Sequence, residues 1–125
     1  MCKTPKISDA EWEVMKIFWM KADPCNANDV VEALADHTEW KPNTIKTLIA
    51  RLVKKKALGY QEEGRTYRYY PLVPEKECIK AESRSFLLKV YDGALKPMLV
   101  NFLQEEQLSP EEIEELKCIL EERSK

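Results

Sequence analysis

Apolar residues return every three or four positions in six stretches of the chain. Between the third and fourth lies a short aromatic-rich run instead, so the pattern predicts six helices and one hairpin. The first helix starts at Ser8, which stands in capping-box register with Glu11 and is flanked by a staple pair, Ile7 and Trp12. It runs to about Lys21, with Val14, Ile17 and Phe18 on one flank and Trp12, Met15 and Trp19 on another, before Asp23-Pro24 ends it. So wide an apolar arc implies neighbours on two sides, and it assigns the tryptophans to packing. A second helix begins near Asn26 or Asn28, buries Val30, Val31 and Leu34, and ends around His37. A turn over Thr38 to Lys41 leads to Pro42, suited to the first position of a third helix, so the pair matches a helix-turn-helix unit.

The third helix separates its faces. Ile45, Leu48, Ile49, Leu52 and Val53 form one apolar stripe, while Asn43, Thr47, Ala50, Arg51 and Lys54 point away from it and Thr44 and Lys46 sit at its margins. The run LGYQEEGRTYRYYPL that follows reads as a hairpin turning near Glu63-Gly64, with Arg65 just past the turn and Arg68 on the returning strand. Its tyrosines, Tyr67, Tyr69 and Tyr70, are assigned to strand packing. Beyond Pro71 and Pro74 come three more amphipathic helices. The fourth, about Glu75 to Tyr91, carries Ile79, Phe86, Leu87, Val90 and Tyr91 and is broken by Gly93. The fifth presents Leu95, Met98, Leu99, Phe102 and Leu103; the sixth opens with Ser109 as cap and Pro110 at its first position and continues through Leu116, Ile119 and Leu120. The expected fold is therefore mainly α with a small β-hairpin wing: a winged helix-turn-helix over residues 1–72 and a three-helix dimerisation domain over 73–125. Three short helices bury little among themselves, and a second copy would supply the missing cover.

Charge changes this picture from a fold into a site. The chain has 20 basic and 22 acidic residues, yet KPNTIKTLIARLVKKK, residues 41–56, holds six cations and no acid. Solvated helix faces ordinarily alternate Glu with Lys, so an unbalanced face points to a polyanionic partner. Composition adds less. At 125 residues, 44% hydrophobic, a core can form, and neither a signal peptide nor a membrane-spanning run is visible, so the expected place is the cytoplasm without membrane insertion. The four cysteines, Cys2, Cys25, Cys78 and Cys118, are far apart and form no C-x-x-C or C-x-C pair; reduced thiols are expected and no metal or cofactor is called for. The single histidine, His37, has no evident partner and is placed near a helix C-terminus.

The segments ISDAEWEVMK, TIKTLIARLVKKKALGYQEEGRTYRYYPLV and LVNFL, in this order, resemble the penicillinase repressors and methicillin-resistance regulatory proteins over about residues 5 to 122. The resemblance implies a homodimeric winged-helix repressor of β-lactamase-type genes on a dyad-symmetric double-stranded DNA operator. It further implies that a membrane receptor with a protease domain triggers cleavage at an Asn-Phe bond, here Asn101-Phe102. The sequence departs from the family where Lys41, a residue that cannot cap, precedes Pro42, and where Pro97 stands early in the fifth helix. Copper-responsive relatives carry C-x-C pairs near the C-terminus; this chain has only Cys118 there.

Candidate DNA-contacting residues are Asn43, Thr44, Lys46, Thr47, Arg51, Lys54 and Arg65. Candidate dimerisation residues are Ile79, Phe86, Leu87, Leu95, Leu99, Phe102, Leu103, Leu116 and Leu120. An enzyme is not expected, since there is no nucleophile elbow, phosphate-cradling glycine loop or H-E-x-x-H pair. A protein-binding adaptor on the same fold, or a repressor answering a different signal, is the competing reading.

Overall fold

The computed structural model of the chain describes residues 4–21 and 23–125. It contains α1 (Asp9–Met20), α2 (Ala27–Leu34), α3 (Pro42–Lys54), β1 (Leu58–Glu63), β2 (Thr66–Pro71), α4 (Glu75–Tyr91), α5 (Leu95–Glu105) and α6 (Pro110–Arg123). Two compact units divide after Glu82, within α4.

In the first unit, α1 opens as its sequence dictates. The Glu11 amide donates to Ser8 Oγ at 3.2 Å and the Ser8 amide donates to Glu11 Oε1 at 2.9 Å, closing the capping box. A second box, between Asn26 and Asp29, fixes the start of α2. That helix stops at Leu34, earlier than periodicity suggests, as the ladder tightens to i→i+3 bonds, the Ala35 amide donating to the Glu32 carbonyl at 3.3 Å, and the Thr38 hydroxyl closes the turn on the Leu34 carbonyl at 3.2 Å. His37 lies in that turn, its amide also on the Leu34 carbonyl at 3.1 Å. At α3 the Lys41 side chain makes no cap bond, and Pro42 occupies the first turn, where a missing N–H leaves nothing unpaired.

The exit from α3 is a Schellman closure: the Ala57 amide donates to the Leu52 carbonyl at 2.9 Å and the Lys56 amide to the Val53 carbonyl at 3.0 Å. Lys56 takes the left-handed backbone this requires, at φ 67°, in a place glycine ordinarily fills. Ala57 and Leu58 can thereby turn back into the core. That core gathers Val14, Met15 and Phe18 from α1, Val30 and Leu34 from α2, and Ile45, Ile49 and Leu52 from α3, with Cys78 from the first turns of α4. Trp12, Trp19 and Trp40 pack at its edge, and the Trp19 indole N–H donates to the Val73 carbonyl at 3.0 Å.

The hairpin pairs Leu58 with Pro71 through Glu63 with Thr66. Its loop is Gly64-Arg65, so Arg65 lies on the turn itself, not beyond it. Gly64 adopts φ 65° there. The alternation did not reveal a third strand-like segment. Cys25 bridges Tyr69, with amide-to-carbonyl bonds of 3.0 and 2.7 Å in the two directions.

In the second unit Asp92 and Gly93 end α4 in left-handed conformations, Pro97 is accommodated in the first turn of α5, and Ser109 and Glu112 close a capping box on α6. Neither α5 nor α6 buries a single side chain within the chain.

Glu11 is the one charged residue buried in the described core. Beyond its capping bond it receives Lys55 Nζ, which also donates to the Lys6 carbonyl at 2.9 Å. Burial alone would push the Glu11 carboxyl up, but the hydrogen bonds from Lys55 and from Ser8 outweigh it and hold the carboxyl below its ordinary value. A group depressed on folding stabilises fully above its unfolded value and loses that contribution as pH falls through the folded one. Glu11→Gln is therefore expected to cost about 1–3 kcal/mol in urea unfolding at neutral pH. The gap to the native protein should close as pH drops below about 4. A gap unchanged down to pH ~3 would show that the carboxylate charge plays no part.

Candidate nucleic-acid interface

The buried stripe of α3, Ile45, Leu48, Ile49 and Leu52, leaves the opposite face in solvent, and Asn43, Thr44, Lys46, Thr47, Ala50, Arg51 and Lys54 are all exposed. At 100° per residue this face has a centre and two margins. Asn43, Thr47 and Lys54 occupy the centre, Thr44 and Arg51 one margin, and Lys46 the other. The Thr47 hydroxyl donates to the Asn43 carbonyl one turn back, at 2.9 Å, which leaves its oxygen as an outward acceptor beside its methyl group. Such a face offers an amide, hydroxyl acceptors and cations, the groups that read base edges and phosphates.

The structure separates the basic residues that sequence alone lumps together. Of the three successive lysines after Val53, Lys54 faces out, Lys55 is drawn to Glu11, and Lys56 shapes the left-handed turn. On the hairpin, Arg65 stands exposed at the tip. Arg68 is engaged within the chain, its Nη1 donating to the Pro24 carbonyl at 3.1 Å and its Nε 2.6 Å from Glu63 Oε2. Thus Arg68 ties the hairpin to the segment before α2, leaving Arg65 as the wing's available cation.

Two hollows border the hairpin, one opening against both the start of α2 and α3, the other against α3 alone. One, about 320 Å³, is lined by Asn28, Lys46, Arg65, Thr66 and Tyr67 among others. The second, about 220 Å³, is lined by Ala50, Val53, Tyr60, Tyr67 and Tyr69. The tyrosines form a cluster, with Tyr60 and Tyr67 edge to face at 5.3 Å and Tyr69 6.4 and 6.5 Å from them. Tyr69 does pack inward, near Phe18 at 6.4 Å, but Tyr60 and Tyr67 remain 51% and 43% exposed, more open than strand packing alone implies. Asn28 and the tyrosines of this groove are the residues that sequence reasoning left out. The sequence signal for the tyrosines was their number in one short hairpin, Tyr60, Tyr67, Tyr69 and Tyr70; for Asn28 there was none.

The second unit presents the residues assigned to self-association. Ile79, on α4 before the division, and Phe86, Leu95, Leu99, Phe102, Leu103, Leu116 and Leu120 beyond it are 38–60% exposed; Leu87 is buried. Leu88, Val90, Val100, Ile113 and Ile119 are exposed as well, so the apolar surface is broader than the periodic positions suggest. Asn101 and Phe102 sit mid-helix in α5. The Asn101 amide donates to the Tyr91 hydroxyl at 3.1 Å, and Phe102 stacks with Phe86 at 6.2 Å. Cys25 and Cys78 are buried thiols, both pushed up by burial, while Cys118 is exposed; Cys2 lies outside the described residues.

A helix-turn-helix closed by a two-stranded hairpin, with an acid-free face on its third helix, defines a winged-helix protein. The chain belongs to the penicillinase repressor family, which matches residues 7–122. It is 48% identical over 122 residues to the penicillinase repressor of Bacillus licheniformis, covering 98% of this chain and 94% of that one. It is 42% identical over 121 residues to the methicillin resistance regulatory protein MecI of Staphylococcus aureus, covering 97% and 98%. Among solved structures, the DNA-binding domain of the repressor BlaI is similar at 44% identity with a TM-score of 0.54, covering 62% of this chain and 93% of that one. Bacillus licheniformis BlaI in its monomeric form, in complex with the blaP half-operator, is similar at 44% identity and a TM-score of 0.53, with the same coverage.

The division between the two hairpin arginines is testable by stability alone. Arg68→Ala is expected to lower unfolding stability by about 1 kcal/mol. Arg65→Ala, at the exposed tip, should stay within about 0.5 kcal/mol of the native protein. Equal effects in a denaturant titration would remove the distinction.

Proposed function

We propose that the chain is a DNA-binding transcriptional repressor, not an enzyme, acting in the cytoplasm as a homodimer on a dyad-symmetric operator. The regulated genes are those of β-lactamase and penicillin resistance. The observation that carries this reading is α3: one stripe locked in the core, the other face exposed, cationic and without an acid. The BlaI relative solved as a monomer in complex with the blaP half-operator supports the DNA-binding part of it. The winged helix, residues 1–72, reads DNA, and residues 73–125 supply dimerisation through their exposed apolar faces.

On this reading Asn43, Thr44, Thr47 and Arg51 approach base edges, while Lys46, Lys54 and Arg65 meet phosphates. Arg51→Ala or Thr47→Ala should cost about 1–3 kcal/mol of operator binding and relax preference at particular base pairs. Lys54→Ala should weaken all sequences alike and lower the salt slope by about 0.9. Binding titrations on operator and random duplexes check both. If all of these variants lose equally on the two duplexes, the assignment of base readers fails.

Release follows from proteolysis between Asn101 and Phe102, triggered by a membrane receptor protease. The cut detaches Phe102, Leu103 and all of α6, whose apolar residues find no burial within the chain. A dimer resting on these helices would separate, and each half-site would lose the ~10²–10⁴-fold advantage of linkage. A chain ending at Asn101 should therefore sediment as a monomer and bind the operator correspondingly weakly. Retention of the dimer and of full affinity would exclude cleavage here as the switch.

A further inference from the structure

The residues that α3 turns towards the hairpin, Lys46, Ala50 and Val53, recur at i, i+4 and i+7 and so form a single strip along the helix. Lys46 lines the basic hollow, and Ala50 and Val53 line the aromatic one, so the strip is cationic at one end and apolar at the other. Across the groove, the hairpin repeats the division. Arg65 and Thr66 border the basic hollow, whereas Tyr60 borders the aromatic hollow. Tyr67 and Tyr69 line both; Tyr69 packs inward near Phe18, whereas Tyr67, with 43% of its surface exposed, is not consumed by core packing.

This alternation matches the chemistry of one nucleic-acid strand. Along a strand, anionic phosphates alternate with deoxyriboses, whose C–H faces are apolar. Phosphate suits convergent cations, an amide and a hydroxyl; a sugar face suits small aliphatic groups and aromatic rings. We propose that the groove between α3 and the hairpin cradles one sugar-phosphate unit of duplex DNA. Lys46, Arg65, Asn28 and Thr66 hold the phosphate, and the deoxyribose rests against Tyr67 and Tyr60. Tyr67, the exposed one of the two tyrosines shared by the hollows, is the positioning residue that sets the strand's register along α3. The proposal rests on the DNA-binding reading and adds to it a sequence-independent contact whose sugar-facing half, at Tyr67 and Tyr60, is not ionic.

The test uses the full-length protein and a random-sequence duplex, titrated by fluorescence anisotropy from about 50 to 200 mM salt. Tyr67→Ala is expected to weaken binding about tenfold, as when one ring contact is no longer buried, with the salt slope unchanged. Tyr67→Phe keeps the ring and should bind as the native protein does. Lys46→Ala should lower the slope by about 0.9. Thermal unfolding of each variant serves as the folding control; should Tyr67→Ala unfold, Tyr67→Phe and Lys46→Ala still decide the matter. Native affinity in Tyr67→Ala, a loss in Tyr67→Phe as large as a tenfold one, or an unchanged slope in Lys46→Ala overturns the cradle while leaving DNA binding intact. If the native protein shows no salt-dependent binding to duplex at all, the DNA-binding reading falls and the cradle with it.

Discussion

The buried carboxylate of Glu11 is where the geometry of the DNA-facing surface is secured. One oxygen receives the Ser8 amide at the start of α1 and the Lys55 ammonium at the end of α3. Two helices far apart in sequence are thus tied by a charge that has little other solvation, being 1% exposed. Burying a carboxylate is costly unless its lone pairs are met, so the pair specifies one docking of α3 on α1 more than it adds net stability. From that docking follow the depth of the apolar stripe and the direction in which the opposite face looks out.

A consequence is that basic residues on α3 and the hairpin are divided between holding the fold and meeting a partner. Lys55 belongs to the basic stretch of the sequence and Arg68 to the hairpin after it, but each is engaged with a partner inside the first unit. Lys56 contributes its backbone, at a turn where a lysine tolerates the left-handed region because the Schellman bonds repay the local cost. The exposed candidates not engaged in this way, Asn43, Thr44, Lys46, Thr47, Arg51, Lys54 and Arg65, are arranged around one helix face and one hairpin tip.

The second unit answers a different physical demand. Of α5 and α6, only α6 carries a side-chain cap and neither buries a side chain, so their stability within one chain rests on that cap and on local pairing such as Phe86 with Phe102. Exposed leucines and phenylalanines of this extent are costly in water, and a symmetric second copy relieves that cost over the whole surface at once. The same arrangement makes a cut within α5 consequential, since separating Asn101 from Phe102 removes much of the apolar surface on which association would rest.

The helices and the hairpin were legible because caps and periodicity are local: Ser8 with Glu11, Asn26 near Asp29, and Ser109 with Glu112 each act within four residues. The winged-helix class and the acid-free face of α3 were equally readable, since a 3.6-residue period fixes which side chains share a face whatever surrounds the helix. Tertiary structure alone decided what long-range pairing controls. It ended α2 at Leu34, added Cys25 to the sheet beside Tyr69, withdrew Lys55 and Arg68 into the fold, and opened the groove shared by Tyr67. Sequence spacing carries no information about which partner a lysine or arginine meets 44 positions away, and that partner determines whether its charge is engaged in the fold or left to solvent.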